Sequence, residues 1–222
     1  GIVSNIFLYS YLSNIILEKS DHISAMNLEN VKKQLGNHIK SFENLGNLCA
    51  NDSIVARAMR QDAMVSTYEK QIMIEAQSVL DQYLGGANLS NYVDKLMAFN
   101  EHNLAVQVFS RAPNLEKDPY LMQQKPFFKD YGFDGKHHVF VTTALSSNKE
   151  TIAYLAPIYE STTEKYRGWI YMELNNRWIE QVLSGYSEGD FFLYYNEEQL
   201  YPVDNKYPYD SQTVKKMLQE PK

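Results

Sequence analysis

The sequence has few of the residues on which disulfide frameworks, cysteine metal sites and nucleic-acid binding depend. Only one of its 222 residues, Cys49, is a cysteine, which excludes an internal disulfide and any multi-cysteine metal site. Lysine and arginine number 21 against 27 acidic residues, and the longest basic runs are the pairs Lys32-Lys33 and Lys215-Lys216. Because neutralising phosphates needs clustered basic side chains, we expect no nucleic-acid partner.

Signatures of catalysis are also missing. The sequence has no Gly-x-Ser-x-Gly nucleophile elbow, and Gly85-Gly86 lacks the Lys-Ser/Thr that completes a phosphate loop. His137 and His138 are adjacent at the start of a predicted strand, so their side chains would point to opposite faces and not share a metal ion. We therefore expect no catalytic residue, metal or cofactor. A glycosidase pair among the scattered carboxylates is the enzymatic alternative.

Long hydrophobic runs are scarce. The most apolar stretch, Ile2 to Ile16, is interrupted by serine and asparagine and falls short of the roughly 20 apolar residues of a membrane helix. We interpret it as the outer end of such a helix, or as the start of a helix that packs on a partner.

The first part of the chain has the pattern of long helices. Apolar residues advance by three and four along one helix face, the spacing of a packed stripe: Leu28, Val31, Leu35, His38, Phe42, Leu45 and Cys49. The pattern predicts a first helix from Leu8 to Cys49, a break at 51–53 and a second helix up to Gly86. Residues 88–99 are predicted as a third, short helix.

From residue 104 the apolar period changes to two, which indicates strands. Strands are predicted at 104–110, 138–145, 151–159, 167–174, 190–195 and 199–203, with a turn at 112–114 and helices at 125–131, 176–183 and 211–219. Linkers of hairpin length favour antiparallel pairing of neighbouring strands.

This order of elements resembles a known family. A helical stalk around NVKKQLGNHIKSFENLGNLCANDSIVARAM, a strand meander ending in GWIYMEL, and then NNRWIEQVL and DFFLYYNEEQLY are similar to the extracellular sensor of YesM-type histidine kinases, over about residues 8–205. The resemblance implies an α+β double-Cache domain: a helical stalk over 1–86 packed on a PAS-like antiparallel sheet lobe over 87–186. Residues 187–222 would be the start of a second, membrane-proximal lobe whose remaining strands follow Lys222, or else the tail of a single-lobed sensor.

The resemblance also implies a function. The chain would be the ligand-sensing domain of a membrane-anchored histidine kinase, on the extracellular face of a bacterial membrane, with no catalysis in the chain itself. Its partners would be a small solute or an extracellular solute-binding protein, and a second copy bound through the long N-terminal helix. The alternatives are a surface-attached carbohydrate-binding or adhesion module, and the same sensor fold on a chemoreceptor or cyclase.

In such a lobe the ligand lies between the sheet and the loop and short helix that cover it. By position, the candidate ligand-binding residues are Arg111, Phe127, Phe128, Tyr131, Tyr154, Trp169 and Tyr171. The planar fork of Arg111 suits a carboxylate or phosphate, and the rings of 127–131 would form an aromatic cover. The alternative is that these rings are core residues, since strands favour aromatic side chains.

Overall fold

The computed structural model describes residues 15–18, 25–109, 113–115, 122–145, 147–160, 165–185, 191–196 and 198–204. The helices are α1 (Ala25–Ala50), α2 (Ser53–Met59), α3 (Thr67–Gly86), α4 (Pro126–Tyr131) and α5 (Arg177–Leu183). The strands are β1 (Ile15–Glu18), β2 (Val93–Asn100), β3 (Ala105–Phe109), β4 (Pro113–Leu115), β5 (His138–Thr143), β6 (Glu150–Glu160), β7 (Lys165–Leu174), β8 (Phe192–Tyr195) and β9 (Glu198–Tyr201).

Two antiparallel sheets organise these strands. The larger has six strands in the order β4-β3-β2-β7-β6-β5, and the smaller has three in the order β1-β8-β9. The long strands β6 and β7 pair as a hairpin, as the sequence predicted, and the α+β class is confirmed.

The six-stranded sheet is buried on both sides, so alternate residues of its central strands belong to two different cores. On what we call the inner face, Leu96, Ile170 and Met172 pack with residues of α1, α3 and α5. On the outer face, Phe99 and Trp169 pack with residues of α4.

The apolar stripe of α1 lies against the inner face. Leu35 and Phe42 are fully buried, and Phe42 contacts Trp178 of α5 with its ring centroid 5.4 Å away. The stripe is therefore core within one chain. A homodimer through the N-terminal helix would therefore need another face of α1, and the homodimer itself stays a prediction.

The N-terminal helix is shorter than predicted. It begins at Ala25, and Ile15–Glu18 is a strand that pairs antiparallel with β8, Ile15 opposite Tyr195. The β-branched pair Ile15-Ile16 favours a strand, and β8 supplies its backbone partners. The other predicted helical residues before 25 lie outside the described part of the chain.

The predicted helix over 88–99 is wrong. Asn88 has a left-handed φ of 56°, and the chain then enters β2, a central strand of the sheet. Seven of the eight residues of β2 are buried, so the strand has no solvent-facing polar side. It therefore lacks the alternation of polar and apolar residues by which a strand is recognised in a sequence.

Two other boundaries differ from the prediction. The second helix is divided into α2 and α3, because Ser66 and Glu69 form a capping box that starts a new helix. The predicted turn at 112–114 overlaps β4, an edge strand in which Pro113 is tolerated because the outer side of an edge needs no amide donor.

The remaining predicted elements that fall in the described residues are present. Pro126 opens α4, α5 follows Asn176, and β8 and β9 form a hairpin. Leu193 and Leu200 of this hairpin join the inner core. The division into stalk, lobe and second lobe stays a prediction, and the predicted helix at 211–219 lies outside the described residues.

None of the helices in the described part of the chain combines the length and apolarity that crossing a membrane requires.

Gly46 sets how closely α1 approaches the sheet. A Cβ placed there would lie 2.2 Å from the Tyr154 hydroxyl and 2.6 Å from its ring, whereas one at Gly85, in α3, would meet nothing within 4 Å. We predict that Gly46→Ala lowers the free energy of unfolding by about 1–3 kcal/mol through overpacking, although alanine is the better helix former. Urea denaturation measures the change. Gly85→Ala is the matched control and should not destabilise; equal effects of the two variants would contradict the close approach.

Candidate functional site

Helix α4 lies across the outer face of the sheet and packs there through aromatic rings. Phe127 stacks on Tyr171 with centroids 5.7 Å apart, and Phe128 meets Trp169 edge-on at 4.8 Å. The indole Nε1 of Trp169 donates a hydrogen bond of 2.6 Å to the carbonyl of Gly132, just after the helix. These ring contacts hold α4, which we call the cover, against the sheet.

Five of the seven sequence-predicted site residues come together on this face: Phe127, Phe128, Tyr131, Trp169 and Tyr171. Arg111 lies outside the described residues. Tyr154 is on the opposite, inner face, because it alternates with Ala153 and Leu155 along β6.

Tyr154 packs between the sheet and α1. Its side chain is fully buried, its hydroxyl forms a hydrogen bond with Nδ1 of His137, and Gly46 of α1 faces its ring. Burial raises the pKa of Tyr154, and the nearby carboxylate of Glu43 raises it further. Tyr154 is thus a contact between helix and sheet and does not line the outer face, which corrects its predicted placement.

Beyond the aromatic rings, the outer face carries polar side chains that the sequence analysis missed: Lys95, Gln107 and Glu173, which are 1%, 1% and 3% exposed. Strand register places Lys95 directly opposite Glu173, and the next outer position, Met97, lies between Gln107 and Tyr171. We call Lys95, Gln107, Tyr171 and Glu173 the polar end of the outer face.

Glu173 is held in place by two donors. Its Oε2 accepts a hydrogen bond of 2.8 Å from the Tyr171 hydroxyl and another of 2.8 Å from the backbone N–H of Leu145. Burial and the neighbouring carboxylate raise the pKa of Tyr171, so this hydroxyl stays a donor. The carboxylate is therefore oriented before any ligand arrives.

Opposite charges buried on neighbouring strands are unusual in a sheet core. Desolvating an ammonium and a carboxylate costs several kcal/mol each, so such a pair is weak evidence for added stability. Buried ionisable groups concentrate instead at sites that recognise ligands. The charges of the outer face belong to Lys95 and Glu173, and Met97, Phe140 and Trp169 are part of its apolar core.

The sequence did contain a signal for these residues. Glu173 follows Trp169 and Tyr171 at a spacing of two, which places all three on one face of β7. Gln107 alternates with Val106 and Val108 in the same way, whereas Lys95 follows Asp94 in a strand without such alternation. Lys95 was missed because its strand had been predicted to be a helix.

Two histidines at the start of β5 contact opposite sides of the sheet: His138 contacts α4, and His137 lies on the side of α1. His138 stacks on Tyr131 at 4.3 Å, and its Nε2 lies 2.6 Å from Oδ2 of Asp134. His137 turns the other way, toward Tyr154. The prediction that the two histidines point to opposite faces is confirmed. Within the described residues, no three His, Cys, Asp or Glu side chains cluster as metal ligands.

No family model matches the sequence, and neither does any curated protein. Solved structures do match. The sensory domain of the Campylobacter jejuni chemoreceptor Tlp3 with isoleucine bound is similar with a TM-score of 0.59 and 11% identity, over 82% of this chain and 73% of that chain. The sensor domain of the Vibrio cholerae histidine kinase DctB matches with a TM-score of 0.54 and 13% identity, over 73% and 58%.

A domain of a sensory box/GGDEF family protein from Vibrio parahaemolyticus also matches, with a TM-score of 0.53 and 9% identity, over 71% of this chain and 61% of that chain. The ligand-binding domain of Tlp3 in complex with 4-methylisoleucine matches as well, and this chain spans 60% of its length. The fold is therefore the one that these sensory domains share, while the double-Cache and YesM assignments stay predictions.

Two partly buried histidines on the inner side give the fold a pH dependence. Desolvation lowers the pKa of His137 and of His38 below the ordinary value, against the opposing effect of Glu43 on His137. Because the folded state binds these protons less readily than the unfolded chain, their contribution to stability is complete above about pH 6.5 and is lost as the pH falls below it.

We predict that His137→Gln, which keeps hydrogen-bonding capacity toward Tyr154, reduces the loss of stability between about pH 7.5 and 5.5, above the range in which most carboxylates titrate. Urea denaturation at a series of pH values measures this, with His102→Gln, an exposed histidine, as the control. Superimposable profiles for His137→Gln and the unmodified chain would contradict the assignment.

Proposed function

We propose that this chain is the extracellular ligand-sensing domain of a membrane-anchored bacterial receptor, and that it binds a small solute on the outer face of its six-stranded sheet. The observation that carries the proposal is the oriented carboxylate of Glu173 opposite the buried Lys95, beneath an aromatic cover, in a fold shared with sensory domains. A histidine kinase is the output that the sequence resemblance favours. A chemoreceptor or cyclase is equally compatible with the fold.

The polar end of the outer face suits a ligand with two opposite charges. The Lys95 ammonium would bind a carboxylate, and the Glu173 carboxylate would bind an ammonium group. Met97, Phe140 and Trp169 supply apolar surface for the rest of the ligand. Amino acids and related zwitterions therefore come first among the candidates, and the Tlp3 structures with isoleucine and L-valine support the choice by analogy of fold.

Binding would be transmitted through the strands. The sheet contacts the cover on one face and α1 on the other, so a ligand that binds better to one arrangement of the cover would shift the packing of α1. The connection over 111–136, which includes β4 and α4, is the segment where we expect closure. A solute-binding protein as the ligand, and a homodimer through the N-terminal helix, are further parts of the proposal.

The carbohydrate-binding or adhesion alternative has less support. It requires exposed rings as sugar platforms, whereas the candidate rings of Trp169 and Phe127 are 2% and 6% exposed. Exposed rings occur at other positions, Tyr68, Phe133 and Tyr159.

A thermal-shift screen of the purified chain with amino acids, organic acids, sugars and nucleosides tests the proposal. A ligand at 100 times its dissociation constant should raise the free energy of unfolding by about 2.7 kcal/mol. We predict that Lys95→Met removes the response to a carboxylate ligand and that Glu173→Gln weakens the response to an ammonium, because each loses one ion pair.

The matched control is Lys70→Met, which neutralises an exposed lysine on α3 and should leave the response unchanged. Calorimetric titration of each folded variant separates lost binding from lost stability. A response that survives in Lys95→Met, or a panel with no response at all, would contradict the proposed site.

A further inference from the structure

The inner side of the sheet holds a group of polar side chains at the point where three layers of the fold meet. Glu43 lies on α1, Tyr154 on β6 of the six-stranded sheet, and Tyr195 on β8 of the three-stranded sheet. His137, directly before β5, completes the group. All four side chains are buried or partly buried. We call them the inner polar cluster, and they lie across the sheet from the candidate ligand site.

Two hydrogen bonds of different quality connect the inner polar cluster. The Tyr154 hydroxyl is bonded to Nδ1 of His137. The Tyr195 hydroxyl donates to Oε1 of Glu43 over 3.4 Å, beyond the roughly 2.5–3.0 Å that is usual between two oxygens, so this bond is weak. Burial and then the Glu43 carboxylate raise the pKa of both tyrosines. Glu43 therefore lies close to both hydroxyls, and its bond to that of Tyr195 is weak.

The direction of the bond between His137 and Tyr154 depends on the charge of His137. A tyrosine hydroxyl has one hydrogen to donate, and a neutral imidazole accepts at one ring nitrogen and donates at the other. With its hydrogen on Nε2, neutral His137 accepts the Tyr154 hydrogen at Nδ1. When Nδ1 takes up a proton from solvent it becomes a donor, so the Tyr154 oxygen must accept. The hydroxyl hydrogen of Tyr154 can then be donated to another acceptor, and the Glu43 carboxylate is nearby.

The charges around His137 favour the same rearrangement. Desolvation lowers the pKa of His137 and the Glu43 carboxylate raises it, so a proton on His137 attracts Glu43. Cys49, also on α1, is uncharged in this range, because burial raises the pKa of its thiol to about 12. On the outer side, His138 opposes the proton but is held by Asp134, whose Oδ2 lies 2.6 Å from its Nε2. The net attraction is therefore between the protonated imidazole and α1.

We propose that acid is a second input to this domain: a proton taken up by His137 shifts the hydrogen bond of Tyr154 from His137 to Glu43 and thereby changes how α1 contacts the two sheets. Glu43 exchanges its weak bond with Tyr195 of the three-stranded sheet for a shorter one with Tyr154 of the six-stranded sheet. Gly46, about one turn further along α1, leaves room for the Tyr154 ring to stay against the helix.

This second input is independent of the outer face. The inner polar cluster lies across the sheet from Lys95 and Glu173, and its rearrangement needs a proton and no solute. It acts on α1, the same helix whose packing the proposed solute binding would shift. Extracellular acid would therefore modulate the receptor even where no solute is bound. Failure of this proposal and failure of the proposed solute binding are separate results.

Nitrogen-15 NMR of the imidazole rings tests the first step. The parent chain for the experiment carries His38→Gln, because His38 also lies on α1 with a lowered pKa and would titrate in the same range. Between about pH 7.5 and 4.5, His137 should change from the neutral form with hydrogen on Nε2 to the charged form, with a midpoint below about 6.5. A neutral form with hydrogen on Nδ1 would overturn the proposal, since Tyr154 would then accept at every pH.

The backbone amide signals of α1 test the second step. Those of residues 43–46, and that of Tyr195, should move with the midpoint of His137. In Tyr154→Phe, which keeps the ring and removes the hydroxyl, His137 should still titrate but the movement of the α1 signals should be lost. The matched control is Tyr159→Phe, an exposed tyrosine on the same strand, which should leave that movement unchanged. Equal movement in Tyr154→Phe and the parent chain would overturn the role of the hydroxyl.

Glu43→Gln gives an independent measurement at a partly exposed position. Because the Glu43 carboxylate raises the pKa of His137, its loss should lower the midpoint of His137 further. The movement of the α1 signals should also shrink, because a neutral amide attracts a protonated imidazole less than a carboxylate does. An unchanged or higher midpoint in Glu43→Gln, or signals of residues 43–46 that do not respond to pH in the parent chain, would each overturn the proposal.

Discussion

The burial of the central strands on both faces is the constraint on which the rest of this structure depends. Strands β2, β6 and β7 are buried at most of their positions, so the sheet needs a layer on each side. Helices α1, α3 and α5 supply one layer, and α4 with its flanking chain supplies part of the other. The two layers differ in chemistry, because only the outer one encloses the opposite charges of Lys95 and Glu173.

The inner and outer faces of the sheet therefore have different structural roles. The inner face is a tight helix-sheet contact, in which Gly46 lets α1 approach the ring of Tyr154. The outer face is closed by a six-residue helix that is held largely by Phe127 and Phe128. A helix this short gains little from its own hydrogen bonds, so its position depends on those packed rings. The cover is therefore the part that a ligand can rearrange at the lowest cost.

Much of the fold could be predicted from the sequence where local signals were strong. Pro126 predicted the start of α4, and the hairpin-length linkers predicted the β5-β6-β7 meander. Strand β1 could not be found locally, since its partner β8 lies at the far end of the chain. Strand β2 was lost because it is buried on both faces and carries no alternation of polar and apolar residues.

The candidate site was predicted in the same partial way. The aromatic cover was predicted from the position that its residues would have in the family that the sequence resembles. Tyr154 was placed on the wrong face because β6 is apolar at both parities, so its sequence does not say which residues face the helices. The charged pair required knowledge of strand register: only the pairing of β2 with β7 shows that Lys95 and Glu173 are neighbours.

The central claim is that the sheet and α1 form one stable unit while the cover opens separately to admit a ligand. Native-state hydrogen exchange in low urea tests it most directly, because each amide reports the free energy of the opening that exposes it. The account predicts that amides of α1, β6 and β7 exchange only through global unfolding, and that amides of α4 exchange through a smaller, local opening. Exchange of α4 and α1 with the same free energy and the same urea dependence would contradict it.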